Sequence, residues 1–348
     1  MATGEAEGYP SAGAAADAGP RAARRGGVGR RGRSAAALAV ALAVLPGVAA
    51  GAPSPRSVAP AAAAAGSAAA VPAAAADDCD PRISLNPDGP IEGPDVEEIV
   101  QRGTLVAGVD QNSYLFGYRQ ASDGQLVGFD IDIVKAIAEE LLGDEDAVEY
   151  RTVSTARRFE ALRNNEVDLM VRTVTSTCER EEIEGVDFST PYFTSGQQLL
   201  VPKGSGFTSI ADLAGRPVCT AEGSTGEAEL ADPAHRVEVV TTGEQLDCLV
   251  RLQRGLVDAT LSDSALQAGQ AAQDPQMEAV GPLLTEELYG VVVDRDDQAL
   301  LRVVNGVLER WFASDSTEPG ESWRASYDFW LAEHMGPAEP PPAPLWHD

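Results

Sequence analysis

The stretch Val171–Phe193, VRTVTSTCEREEIEGVDFSTPYF, decides how the chain is read. Its first part completes an apolar run, VDLMVRTVT (167–175), of strand length and strand composition. Thr173, Thr175 and Thr177 follow at intervals of two, the period that sends alternate side chains to one face of a strand. Cys-Glu-Arg then opens a helix, and the first N–H groups of a helix lack internal partners and carry partial positive charge. Arg180 lies in that first turn, where a cation is mildly disfavoured unless an anion sits beside it. A small carboxylate would resolve the conflict, with Arg180 supplying a bidentate pair and the hydroxyls and free N–H groups completing its shell. The plainer alternative is that Thr177 caps the helix while Arg180 pairs with Glu181, Glu182 or Glu184 on the surface.

Working outward, strand-length and helix-length segments alternate through most of the chain after Ile99. TLVAGVD (104–110) is a strand. GFDIDIVKAIAEELLG (128–143) is a helix with Ile131, Val134, Ile137, Ala138 and Leu141 on one stripe and a glycine stop. A strand near 148–153, a helix near 156–164, the strand at 167–175 and a helix from 178 follow, a β-α-β-α order that predicts a parallel sheet covered by helices. After residue 196 the rhythm starts again, from SIADLAG through RPVCTAEG, STGEAEL, RVEVVTT, GEQLDCLVRLQRG, VDATLSD and SALQAGQAAQ. ELYGVVVDRDD is then extended, and the two amphipathic helices after it have no sheet of their own, so they must pack on an earlier one. The fold class expected is α/β in two lobes, each a sheet flanked by helices. Lobe 1 takes 91–196 and 290–336, lobe 2 takes 197–289, and segments near 195–203 and 286–293 cross between them. Such sheets bind ligands beyond the carboxyl ends of their strands, which places a site in the cleft.

The other strand ends supply matching chemistry. Gly223, Ser224 and Thr225 form a second strand-to-helix junction on lobe 2. Asp263 ends VDATLSD as an acid suited to an ammonium group, and Asp110 ends the first strand, followed by Tyr114 and Phe116 as candidate walls for an aliphatic chain. Carboxylate clamp, ammonium acceptor and apolar wall together describe a free α-amino acid.

The ends of the chain are of a different kind. Residues 1–34 carry six arginines against three acids, and AAALAVALAVLPGVAAGA follows, the order of an export signal. Residues 1–52 are read as that signal, cut after Ala52. An uncleaved anchor is the alternative, although the apolar run is shorter than the roughly 20 residues of a spanning helix and Pro46 and Gly47 interrupt it. Residues 53–90 read as a spacer and N-terminal extension, Ala/Pro-rich and without core-forming residues as far as Asp78. The proline-rich segment 337–348 reads as a tail beyond the folded unit. The net charge of -28 makes nucleic acid or an anionic lipid surface a poor partner. Four cysteines, Cys79, Cys178, Cys219 and Cys248, suit an oxidising compartment, lack metal or redox spacing, and allow three pairings.

The motifs GTLVAGVDQNSYLFGY, GFDIDIVKAIAEEL, VDLMVRTVTSTCERE, VDFSTPYF, ADLAGRPVCTAEGST, VDATLSDSAL and YGVVVDRDD, taken in their order, resemble those of the type 2 periplasmic, or extracytoplasmic, amino-acid-binding proteins of ABC importers. The resemblance covers about 99–336 and is closest to the glutamate and glutamine receptors of Gram-positive-type systems. It implies that Arg180 holds an α-carboxylate with Thr175 and Thr225, that Asp263 takes the α-ammonium, and that Thr173 lends backbone groups. An aromatic wall is implied near 113–116, where Ser113 stands in place of the aromatic of many relatives. The same resemblance implies the bridges Cys79–Cys178 and Cys219–Cys248.

Arg172, beside the threonines, and Arg157 and Arg158, at the start of the preceding helix, would give a second ligand carboxylate a partner if they enter the cleft. Strict strand alternation, however, puts Arg172 on the face opposite Thr173. The charge argument favours glutamate or aspartate, with asparagine or glutamine next. The expected function is a monomeric, extracytoplasmic receptor that delivers its ligand to an ABC permease, using no cofactor and no metal. A sensor signalling to a membrane kinase is one alternative, and a dehydratase-like enzyme on the same fold is another. The three histidines, His235, His334 and His347, lie away from the expected cleft, and no nucleophile stands beside a base.

Overall fold

The computed structural model describes residues 79–348; the expected export signal at 1–52 and the spacer from 53 to 78 lie outside the described residues. Strand β1 (Ile83–Leu85) and helix α1 (Pro94–Arg102) lead into β2 (Leu105–Val109). A small ribbon follows, formed by β3 (Asn112–Ser113), β4 (Gly117–Arg119) and β5 (Leu126–Val127). Helix α2 (Phe129–Leu142) starts at Gly128, whose φ of +131° and closeness to the Phe116 carbonyl, 2.2 Å from where a Cβ would lie, leave room only for glycine. Then come β6 (Val148–Thr152), α3 (Arg158–Arg163), β7 (Leu169–Thr175), α4 (Cys178–Glu184), β8 (Val186–Phe188) and β9 (Phe193–Ser195).

The chain crosses at Gly196 into lobe 2. There it forms β10 (Gln197–Pro202), β11 (Pro217–Ala221), α5 (Thr225–Leu230), β12 (Glu238–Thr242), α6 (Gln245–Gln253), β13 (Ala259–Asp263), α7 (Ser264–Gln273) and β14 (Met277–Val280). It returns through β15 (Glu287–Asp294) and ends with α8 (Gln298–Ala313), α9 (Trp323–Trp330), α10 (Ala332–Met335) and β16 (Leu345–His347).

Neither main sheet is purely parallel, although a parallel sheet was expected. In lobe 1 the order is β6-β2-β7-β15-β8, with β9 also on β15, and only the β2–β6 and β2–β7 pairs are parallel. In lobe 2 the order is β12-β11-β13-β10-β14, where β11 pairs parallel with β12 and β13 while β10 runs antiparallel to both its neighbours. The antiparallel members β10 and β15 adjoin the crossings: each enters its sheet from the other lobe, without the helical crossover that makes neighbours parallel. At the first crossing a Cβ on Gly196 would lie 2.3 Å from the Thr285 carbonyl, so the two crossing segments pass in backbone contact.

The long last helices cover lobe 1. Phe129, Trp311, Trp323 and Tyr327 are buried together with the apolar stripe of α2, and the Trp323 and Tyr327 rings stack at 4.9 Å. The segment after Met335 differs from expectation. Prolines prevent a helix but not an extended strand, and β16 pairs in parallel with β1, joined by the Asn86 N–H donating to the His347 carbonyl at 2.8 Å. Both ends of the described chain therefore belong to lobe 1. Among the described residues no helix is long and apolar enough to cross a membrane.

The two disulfides are Cys79–Cys178 and Cys219–Cys248. The first fixes the N-terminal segment to the opening residue of α4, where the Ser176 hydroxyl also donates to the Pro81 carbonyl at 3.1 Å. The second joins β11 to α6 within lobe 2. With the cysteines 29 positions apart, loop-closure entropy gives it about 3.6 kcal/mol. Replacing Cys219 and Cys248 by serine is expected to lower the unfolding free energy by about that amount, measured as a shifted midpoint in urea denaturation followed by circular dichroism.

Candidate functional site

The strand ends converge on one cleft between the lobes. Its lining includes Asp110, Ser113, Thr155, Arg158, Arg172, Thr173, Thr175 and Arg180 from lobe 1, with Gln197, Ser224, Thr225, Gln245, Ser262 and Asp263 from lobe 2. About 480 Å³ is empty between these walls, room for a small solute. Apolar lining is limited to Ala221 and Leu266.

Both sequence readings of α4 hold part of the truth. Thr177 caps the helix, its hydroxyl accepting the Arg180 N–H at 3.2 Å. The Arg180 side chain, however, ignores the surface glutamates and turns inward, donating to the Thr175 carbonyl at 2.6 Å and to the Gly223 carbonyl of lobe 2 at 3.4 Å. Burial pushes its pKa down, opposed by the charges of Glu287 and Asp263 nearby.

Arg158 is the second guanidinium of the site. Only 3% exposed, it donates to the Thr155 carbonyl and, at 2.8 Å, to the same Gly223 carbonyl, while its Nε has no partner among the described residues. Both guanidinium groups sit against the Phe159 ring, at 4.6 Å for Arg158 and 5.7 Å for Arg180. Burial, with Arg180 and Arg172 close by, pushes the Arg158 pKa well below the usual arginine range. Arginine keeps its proton in proteins, so this push expresses an unmet demand for an anion. Among the described residues neither Arg158 nor Arg180 has a carboxylate at ion-pair distance.

Arg172 is different, because its charge is already met. It donates to Asp110 at 3.0 Å and to the Thr155 hydroxyl at 3.0 Å, and lies 3.7 Å from Glu244 across the cleft. Asp110 in turn accepts from Ser113 at 2.8 Å and from the backbone of Gln111 and Asn112. Strict alternation would have kept Arg172 out of the cleft, but the alternation is broken. Val174 pairs with Gly290 while Met170 pairs with Val292, so β7 carries extra residues there, and Thr173 takes a φ of +52°. A threonine in that region stores about 1–3 kcal/mol of strain.

On lobe 2, Asp263 is buried and accepts from Gln197 and, at 2.6 Å, from the Tyr289 hydroxyl. Desolvation, then the charge of Glu287, pushes its carboxyl up to about 7. Thr225 donates to Glu287 at 2.9 Å and accepts from Gln197 at 3.0 Å. Ser224 is absorbed in capping α5, accepting from the Glu227 N–H at 3.1 Å and donating to the Ala221 carbonyl at 2.6 Å.

Three expected residues lie elsewhere. Phe116 is fully buried in the lobe 1 core against Phe129, Phe193 and Tyr289, because the β4 ribbon turns it inward. Tyr114 packs edge-on against Tyr118 at 4.8 Å and lines a small recess beside the cleft with Glu244 and Gln270. Arg157 is exposed and near Glu160 and Glu166, since it precedes the helix, whereas Arg158, the first residue of α3, turns inward. The aromatic of the site is thus Phe159, under the arginines. Gln197, Thr155, Gln245, Ser262 and the partners Tyr289 and Glu287 were not foreseen. Gln197 faces Asp263 only because β10 and β13 pair in that register, a non-local fact with no sequence signal.

Two α/β lobes linked by two crossings, with a charged cleft between them, define a solute-binding architecture. The chain belongs to the bacterial extracellular solute-binding proteins, family 3, whose model matches residues 105–322. It is 39% identical to a glutamine-binding protein of Geobacillus stearothermophilus over 56% of this chain and 74% of that one. It is 30% identical to a glutamate-binding protein of Corynebacterium efficiens over 67% of this chain and 83% of the relative. Among solved structures, a solute receptor for L-cysteine of Neisseria gonorrhoeae superposes with a TM-score of 0.64 at 30% identity, covering 69% of this chain and 95% of that one.

The raised Asp263 carboxyl has a consequence for stability. Its folded pKa of about 7 lies above the ordinary 3.8, so the stability it contributes is full below about pH 4 and is lost as pH rises through 7. Asp263→Asn, whose amide Gln197 can meet by rotating its own unpartnered oxygen inward, is expected to raise ligand-free stability at pH 8 by roughly 1–2 kcal/mol and to leave it unchanged near pH 4. Urea denaturation at the two pH values checks this.

Proposed function

We propose that the protein is an extracytoplasmic receptor for a free acidic amino acid, glutamate or aspartate, which it captures by lobe closure and passes to a membrane importer without chemical change. The observation that carries the reading is the pair of buried, uncompensated guanidinium groups, Arg158 and Arg180, on one carbonyl of the opposite lobe. A dicarboxylic amino acid meets both demands. Arg180 takes the α-carboxylate, with the Thr175 and Thr225 hydroxyls beside it, and Arg158 takes the side-chain carboxylate. Charge-assisted bonds of this kind contribute about 1.5–3 kcal/mol each. Asp263 takes the α-ammonium, and the incoming cation draws its raised carboxyl back to the ionised form.

The lobes meet around this site through Arg158 and Arg180 on Gly223, Arg172 near Glu244, and Tyr289 on Asp263. A ligand held by lobe 1 gains its lobe 2 contacts only in this closed arrangement, so it favours closure by that difference in affinity. The names of the relatives, which bind glutamine and glutamate, support an amino-acid ligand. Binding without turnover is supported by the family, whose members are solute-binding proteins.

Calorimetry against the free amino acids tests the class. L-glutamate or L-aspartate is expected to bind more tightly than L-glutamine by at least about tenfold, and Arg158→Gln to reverse or abolish that preference. Tightest binding to glutamine by the unaltered protein would move the ligand to the neutral amide class. Arg180→Ala is expected to weaken every ligand by about tenfold or more with the fold intact by circular dichroism.

Proton linkage gives an independent check. Because binding needs Asp263 ionised, affinity is expected to fall as pH drops from 8 to 6, with a proton released on binding near pH 6. Titrations in two buffers of different ionisation heat at that pH measure the release.

A further inference from the structure

We propose that Asp130 and Tyr192, a buried pair behind the lobe 1 sheet, position the site by holding Thr173 in its left-handed conformation and so turning Arg172 into the cleft. Neither residue lines the cleft. Tyr192 donates from its hydroxyl to Asp130 Oδ1 at 2.9 Å, and the same phenolic oxygen accepts the Thr173 N–H at 3.2 Å. Both residues are fully buried, and among the described residues Asp130 Oδ2 has no partner and the phenol is the one side chain that hydrogen-bonds this carboxyl.

The contact falls where β7 departs from its ladder. Thr173 lies between the residues that pair with Gly290 and Val292, at the shift in register, so its N–H is met by the phenol. A β-branched residue does not hold a φ of +52° unless its surroundings over-determine it. The over-determining part is rigid. Tyr192 is fixed on both sides, its N–H donating to the Tyr289 carbonyl at 2.7 Å and its own carbonyl accepting from the Trp323 indole at 2.9 Å. Asp130 is fixed in the first turn of α2 by the Phe116 carbonyl, which accepts its N–H at 2.9 Å.

The consequence reaches the ligand face. Regular alternation would send Arg172 away from the face that Thr173 and Thr175 share. With Thr173 left-handed, Arg172 and Thr175 line the same cavity, and Arg172 reaches Asp110 and approaches Glu244. Tyr192 and Asp130 are therefore positioning residues: they touch no ligand and set which side chains can. What the strand then offers to a ligand rests on the amino-acid reading above, whereas the conformation of Thr173 does not.

Two variants and two readouts test this. Tyr192→Phe removes only the hydroxyl, and adding Thr173→Gly supplies a residue for which the left-handed region carries no penalty. In ligand-free, isotope-labelled protein, the amide-to-α-proton coupling of Thr173 reports its φ. It is expected to shift toward the extended value in Tyr192→Phe, while the dispersed spectrum shows that the protein is folded. Affinity for L-glutamate and L-glutamine by calorimetry is expected to fall about tenfold in Tyr192→Phe and to return to within about twofold of the unaltered protein in the double variant. Rescue by glycine is what a merely structural loss would not show. An unchanged coupling in Tyr192→Phe overturns the proposal, as does weakened binding that the glycine fails to restore. If the unaltered protein binds neither amino acid, the functional reading above fails, and the coupling alone decides between a device and a passive contact.

Discussion

The cleft depends on one unfulfilled electrostatic demand. Two guanidinium groups are removed from water, stacked on one phenylalanine, and given only carbonyl oxygens to bind. Carbonyl dipoles orient such cations but do not neutralise them, and like charges placed together in a low-dielectric space are costly. The rest of the site is arranged around that cost. Arg172, the third cation, is compensated by Asp110 and Glu244, while Asp263 and Glu287 stand across the cleft at a distance that lowers the potential without closing an ion pair. The result is a pattern of opposite charges at two ends of one space.

Much of this was legible because it is local. Strand and helix periods gave two α/β units, and the Thr-x-Thr-x-Thr-Cys-Glu-Arg run placed Thr175 and Arg180 beside one another in the cleft. Asp263 and Thr225 were readable for the same reason, since each ends or follows a strand whose carboxyl end must face the cleft. What the sequence could not disclose was set by contacts between distant segments. Phe116 and Tyr114 had the composition of a wall, but the ribbon β3–β5 rotates one into the core and the other aside. Arg157 and Arg158 are chemically the same, and only the first turn of α3 decides which is buried. The alternation rule excluded Arg172 and was defeated by a single left-handed threonine. The β16 strand was hidden because its partner, β1, lies at the other end of the chain.

Specificity and stability pull against each other in this cleft. Asp263 held near neutrality is a liability to the empty protein, and so are two unpaired cations. Under the reading proposed above, a ligand carrying both signs would remove each liability where it lies and so favour the filled closed form over the empty one. The lining offers almost no apolar surface, so charge and hydrogen bonding dominate its chemistry.

The arrangement of the chain ends has a mechanical corollary. The Cys79–Cys178 bridge and the pairing of β1 with β16 root both termini of the described chain in the same lobe, so lobe 2 is an insertion that owns no terminus. A pull applied at Cys79 would be borne by lobe 1 through a covalent link, and in the proposed closure lobe 2 would move as the unloaded jaw. A tether or a reporter dye at either end of the described residues would ride with lobe 1 and be blind to such a stroke.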